Sequence, residues 1–346
     1  MIERPHPSLF QVSTTATTRI VGWDAISSAI SIAQTVCSVT RPNSVLLTRP
    51  DCYPEVLAST RLLHHPFDAV LLYTDGEKLE EAVSRELIRL SPRGQNVPAQ
   101  VIVVGAVHAQ VLHDIANLGF TTLQLQGHDL WDTVERIAEY DLGTENQHAL
   151  LVSVDPIAGG VVAGGYAAYS GTPVLFANEQ GLFSSSLSYL RRHPRTKVIV
   201  VAPEAYLPNV VHSEVRSLGS KVEGWIGGED AFELSVDFAK FRHPKTRFGW
   251  GRRERSAAAV TFVPIERWPY GVAAAALSLR GRNTPLLLTK RDHLPPSIEN
   301  CLLALRARHD SGVQSHGFLV GSLDAITYQV QMRMHLAMTF ESDSHR

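Results

Sequence analysis

Cysteine is scarce in this 346-residue chain: Cys37, Cys52 and Cys301 are the only three, and no two of them form a CxxC pair. An odd count without ligand spacing indicates neither a disulfide framework nor a zinc site, so they are expected to be small buried hydrophobes. Long apolar runs are missing too, and no stretch reaches the roughly 18 residues that suggest a membrane span. The start, Met1-Ile-Glu-Arg-Pro-His-Pro, lacks the basic opening and apolar core of a secretory signal. Read alone, it predicts a cytoplasmic protein that would reach a cell wall only by another route of export. Signatures of covalent chemistry are absent: no G-x-S-x-G elbow, Walker loop, HExxH or paired-carboxylate motif occurs. A non-enzyme with no metal or cofactor is the expectation; an α/β enzyme would need carboxylates brought together only by folding.

What is present is an ordinary globular composition, 44% hydrophobic and 19% charged, with length for two or three cores. The net charge of −2 conceals a split. Residues 1–179 hold 10 Lys/Arg against 19 Asp/Glu, and residues 180–346 hold 22 against 15, so the parts carry −9 and +7. Opposite fields could steer an anionic partner to the basic side, let copies of the chain attract one another head to tail, or simply be two solvated surfaces.

The dominant feature is internal repetition. Arg19–Asp24, Gln124–Asp129 and Gly224–Asp230 each run from an extended stretch through glycine to an aspartate, followed by an amphipathic stretch (25–34, 130–140 and 231–241). An aspartate there suits a helix N-cap, which argues against reading Asp24, Asp129 and Asp230 as catalytic. Next come a hydrophobic strand and a small-residue helix: Val45–Thr48 then Tyr53–Ala58, Leu150–Ser153 then Gly159–Ala163, Val260–Val263 then Trp268–Ala273. Second strands follow at 69–74, 172–177 and 284–289, and third strands at 101–105, 198–202 and 318–321. Short apolar strands alternating with helices predict α/β architecture with parallel sheets covered on both faces. We expect three tandem Rossmann-like subdomains in a pseudo-threefold arrangement, residues 19–126, 127–227 and 228–342, with a linear array as the alternative.

These residues together resemble the cell-wall-binding repeat (type 2) family, found in triplicate in surface-layer proteins of Gram-positive bacteria. Three features carry the resemblance: R-x-x-G-x-D in Arg19–Asp24, the Pro-(Ile/Val)-Leu-Leu-Thr flavour of Thr172–Ala177 and Thr284–Thr289, and Val-Ile-Val-Val-Gly in Val101–Gly105. The family's Phe-Pro-Asp-Ala-Leu step is altered to Tyr53-Pro54-Glu55-Val56-Leu57, and its acidic residue is absent from the other two units. The resemblance implies three subdomains forming a pseudo-trimer that holds an anionic cell-wall polysaccharide without catalysis. The alternative is an intracellular structural protein that self-assembles into a homo-oligomer or filament.

Binding candidates are cationic. The stretch 242–255 contains Arg242, Lys245, Arg247, Arg252, Arg253 and Arg255, with Phe248 and Trp250 between them. Guanidinium forks pair with phosphate or carboxylate, and an aromatic face can stack on a sugar or base; the alternative is a solvated loop paired with Glu residues of the first unit. A second cluster holds Arg191, Arg192 and Arg195. Nucleic acid fits less well, because the acidic first half would repel a duplex spreading beyond the patch. The glycine cluster Gly159-Gly160…Gly164-Gly165 lacks GxGxxG spacing, so close helix packing is expected rather than a nucleotide loop.

Overall fold

The computed structural model describes residues 13–143, 147–155, 157–203, 206, 209–254, 258–279, 283–306 and 314–339. Its strands form three sheets. The first contains β2 (Val45–Thr48), β3 (Val70–Tyr73), β4 (Val101–Val104) and β5 (Thr122–Leu125), in the order β3-β2-β4-β5. The second contains β6 (His148–Ser153), β7 (Val174–Asn178), β9 (Lys197–Val201) and β10 (Lys221–Ile226), ordered β7-β6-β9-β10, with the two-residue β8 (Gly181–Leu182) antiparallel at the β7 edge. The third contains β11 (Ala259–Pro264), β12 (Leu286–Thr289), β13 (His316–Val320) and β1 (Thr17–Ile20), ordered β12-β11-β13-β1. All pairings except β7–β8 are parallel. Residues on β2, β3 and β4 are buried throughout, as expected for strands covered on both faces.

The same strand order recurs in each sheet, with one difference in connectivity. In the first two sheets the fourth strand follows the third along the chain. In the third sheet, β1 from the amino-terminal end fills that place, with Thr17 paired to Gly317 and Ile20 to Val320. Arg19 and Ile20, assigned from sequence to the first unit, therefore complete the sheet of the third. The physical reason is that β13 would otherwise present an open parallel edge, and β1 covers it while burying Thr17 and Ile20.

The G-x-D openings are structural. Asp24 accepts from Ser27 N at 2.7 Å, Asp129 from Asp132 N at 2.8 Å, and Asp230 from Phe232 N and Glu233 N, both at 2.8 Å. They cap helices Ala25–Val36, Leu130–Glu139 and Ala231–Lys240. The glycine two residues earlier lies against the first turn of that helix: a Cβ at Gly22 would overlap Ser28, one at Gly127 would meet Thr133 N at 2.5 Å, and one at Gly228 would meet Leu234 N at 2.5 Å.

The three small-residue helices, Tyr53–Ser59, Ala158–Ser170 and Trp268–Ala274, pack on one another. Tyr53 OH donates to the carbonyl of Ile157 at 2.9 Å and its ring meets Trp268 edge-on at 5.2 Å. A Cβ at Gly160 would overlap the Tyr53 hydroxyl, and one at Gly165 would come within 3.0 Å of Leu286 and Ser278. The glycine cluster is thus the place where the middle unit's helix meets both neighbours, as the packing reading expects. A single buried cluster runs through all three units, including Leu57, Val161, Val272 and Leu286.

Candidate functional site

The stretch after helix Ala231–Lys240 folds back on that helix. Gly251 N donates to Phe241 O and Arg252 N to Ala239 O, both at 2.9 Å, while His243 N donates to Phe248 O at 2.8 Å. The turn inside it uses left-handed backbone at Arg247 (φ 63°) and Gly249 (φ 105°); a Cβ at Gly249 would overlap Phe241 O. Two aromatic side chains anchor the turn to the middle unit. Phe248 lies 4.7 Å from the His148 ring and 4.6 Å from Tyr166, and Gly249 N donates to the Tyr166 hydroxyl at 2.8 Å. Trp250 packs between Tyr166 at 5.3 Å and Tyr169 at 5.0 Å and is 8% exposed.

That burial corrects one expectation. Trp250 was expected to offer a free ring face to a sugar, but the ring is used in packing the loop onto Tyr166 and Tyr169, because burying this much apolar area outweighs leaving it in water. Around it, Arg242, Lys245, Arg247 and Arg253 are exposed and Arg252 is half-buried. Arg252 donates through Nη2 to the carbonyl of Asn283, and burial lowers its pKa. A cleft of about 250 Å³ opens here, bordered by Tyr166, Tyr169, Arg242, Arg247, Trp250 and Arg252. Arg255 lies outside the described residues.

The second cluster is partly neutralised within the fold. Arg192, in the last turn of helix Ser184–Arg192, pairs with Glu135 and lies 3.6 Å from Glu139, and His193 meets Glu139 at 2.7 Å. Arg191 and Arg195 are exposed, Arg195 with left-handed backbone (φ 75°). Arg192 and Arg195 flank a groove of about 730 Å³ whose wall includes the buried Arg61. Arg61 reaches from the first unit to the carbonyls of Ile137 (2.7 Å), Ala138 (3.0 Å) and Tyr140 (2.9 Å), and to Gly171 O at 3.1 Å. It thereby closes the C-terminal end of helix Leu130–Glu139, where orphan carbonyls need donors. Burial lowers its pKa to about 10.

The loop and the segment leading into β9 both approach the start of β6 in the second sheet. His148, at the start of β6, feels both: burial lowers its pKa first, then Lys197 of β9, opposed by Glu223, with a further lowering from His243 of the loop. Tyr166, Tyr169 and Asn283 join the cleft from sequence positions that charge counting does not reach. The three-residue spacing of Tyr166 and Tyr169 on an otherwise small-residue helix is the one local signal that could have marked them. Among the described residues, no group of three or more His, Cys, Asp or Glu side chains is placed to hold a metal ion. Among them also, no helix is long and apolar enough to cross a membrane.

Three four-stranded parallel arrays of one order, joined through shared small-residue helices, define an α/β protein built from Rossmann-like units. No protein-family profile matches the sequence. The chain is similar in fold to Cwp6 from Clostridium difficile, with a TM-score of 0.72 and 14% identity, over 93% of this chain and 48% of that one. Cwp8 from the same organism superimposes with a TM-score of 0.71 and 15% identity, over 94% of this chain and 52% of Cwp8. In sequence it is 21% identical over 315 residues to N-acetylmuramoyl-L-alanine amidase LytC of Bacillus subtilis (strain 168), covering 90% of this chain and 56% of LytC. The chain thus spans about half the length of the proteins it matches.

Proposed function

We propose that this chain is a non-catalytic binding scaffold that holds an acidic cell-wall glycopolymer, with the 242–253 loop as its principal contact. The observation that carries this reading is the loop's construction: buried Phe248 and Trp250 fix the backbone, while Arg242, Lys245, Arg247 and Arg253 stand exposed on it. A rigid platform bearing cations loses less freedom on binding a charged polymer than a flexible one would. The resemblance to cell-wall-binding repeats and the likeness in fold to Cwp6 and Cwp8 support the choice of ligand. The match to LytC, named for an amide between an N-acetylmuramoyl group and L-alanine, supports a sugar-containing ligand. A non-catalytic role is supported by the use of all three recurring aspartates as helix caps.

Titration calorimetry with a teichoic-type glycopolymer tests the reading. Changing Arg242, Arg247 and Arg253 together to Gln is expected to weaken binding at least tenfold and to flatten its dependence on salt. Affinity unchanged by the triple substitution would remove the loop from the binding surface.

A further inference from the structure

The cleft beneath the loop has a chemistry that the exposed cations alone do not. Among the described residues, its lining contains no Asp or Glu. Trp250 Nε1 and Arg252 Nε are both buried and lack a hydrogen-bond acceptor among the described residues. The Tyr166 hydroxyl accepts from Gly249 N, which leaves its own proton to donate. Arg242 and Arg247 complete the wall and bring two more guanidinium forks. Side chains that carry indole, phenol and guanidinium donors therefore border one space, contributed by two units of the fold. Native proteins rarely leave buried donors unanswered, and ordered water or an ion commonly answers them.

We infer that this cleft is a subsite for a tetrahedral oxyanion of the phosphate type, gripped by Arg242, Arg247 and Arg252 with Trp250 Nε1 as a fixed neutral donor. The inference rests on the loop being the ligand-binding face and specifies what that face selects. A tetrahedral oxyanion presents more acceptor oxygens than a planar carboxylate, which suits a wall of at least four separate donors. Burial lowers the pKa of Arg252 and so disfavours its charged form, a cost that an anion in the cleft would offset. Tyr169, 40% exposed and packed on Trp250 at 5.0 Å, flanks the cleft and can cover an apolar sugar face attached to the phosphate.

The indole N–H resonances of the protein's five tryptophans give a direct readout, with Trp250 assigned through Trp250→Phe. Inorganic phosphate, titrated at constant ionic strength, is expected to shift the Trp250 resonance saturably, and chloride to leave it unmoved. Arg252→Gln should weaken the response at least tenfold, and Arg242→Gln, at an exposed position, should weaken it several-fold. A Trp250 resonance that stays still at high phosphate, or that chloride moves equally, overturns the subsite. A poly(glycerol phosphate) arm separates polymer-borne from free phosphate. If the polymer binds through Arg242, Arg247 and Arg253 while Trp250 does not respond to phosphate, only the subsite is lost. If phosphate shifts Trp250 but the polymer does not bind, the subsite stands and the glycopolymer reading falls.

Discussion

Arg19 donates through Nη1 to the carbonyl of Gly321 at 3.1 Å, linking the first strand to the end of the last one. The matching place in the other sheets is filled by different chemistry with the same result: Gln124 Nε2 donates to Gly105 O at 3.1 Å, and Trp225 Nε1 to Ala202 O at 2.8 Å. In each case the acceptor directly follows the third strand, and its own N–H donates to the last residue of the fourth strand, Leu125, Ile226 or Ile20. The arginine of R-x-x-G-x-D is therefore a clamp between two neighbouring strands.

Arg19→Met is expected to destabilise the fold by about 3 kcal/mol, because it strands the carbonyls of Gly321 and Ser322 and the Gln331 side chain that the guanidinium now serves. Urea denaturation measures the loss. A loss below about 0.5 kcal/mol would mean that the β1–β13 seam does not depend on this clamp.

The caps should affect stability without affecting binding. Asp230→Ala removes acceptors for Phe232 N and Glu233 N, and the expected cost is about 1 kcal/mol. Glycopolymer affinity measured well below the melting temperature should remain as in the parent. A substantial drop in binding from Asp230→Ala in folded protein would assign that carboxylate a functional role.

Packing between units can be read by a double-mutant cycle. Gly160→Ala places a methyl where the Tyr53 hydroxyl sits, and a cost of about 2 kcal/mol is expected. Tyr53→Phe removes that hydroxyl, so the double variant should lose clearly less than the sum of the singles. Strict additivity would show that the two helices do not meet as described.

Acid should loosen the molecule in a defined window. His64, His148 and His316 all have pKa values lowered below the ordinary 6.5 by burial first, His148 with help from Lys197 and His64 from His65. A base with a depressed folded-state pKa binds more protons when unfolded, so its stabilising contribution is intact above about pH 6.5 and lost as pH falls below that value. His316 also meets Thr18 Oγ1 at 3.0 Å across the β13–β1 seam. Denaturation midpoints should be flat from about pH 7 to 8 and fall below 6.5, and His316→Asn should make that fall shallower. An equal slope in the variant would exclude His316 as a contributor.

Much of the architecture was legible locally. Val45–Thr48 and Val101–Val104 are continuous apolar runs, and such runs form strands only where both faces are covered. The aspartate caps and the packing role of Gly160 and Gly165 were legible for the same reason: their effect acts on a helix turn or on a required small residue. The candidate site was legible only as charge. Exposed Arg242 and Arg247 differ from the half-buried Arg252, and Arg192 is held by Glu135, through contacts no local window contains.

The amino-acid order by itself determined the strand and helix segments, the threefold repetition of the motif and the capped helix starts, because these depend on periodicity and on neighbours a few residues away. Only the tertiary structure decided that β1 completes the third sheet, that Trp250 is an anchor for the loop, and that Tyr166 and Tyr169 stand beside arginines some eighty residues further on. Those outcomes depend on which open edge or apolar face a segment finds after the chain has folded back, and pairing across hundreds of residues leaves no local trace.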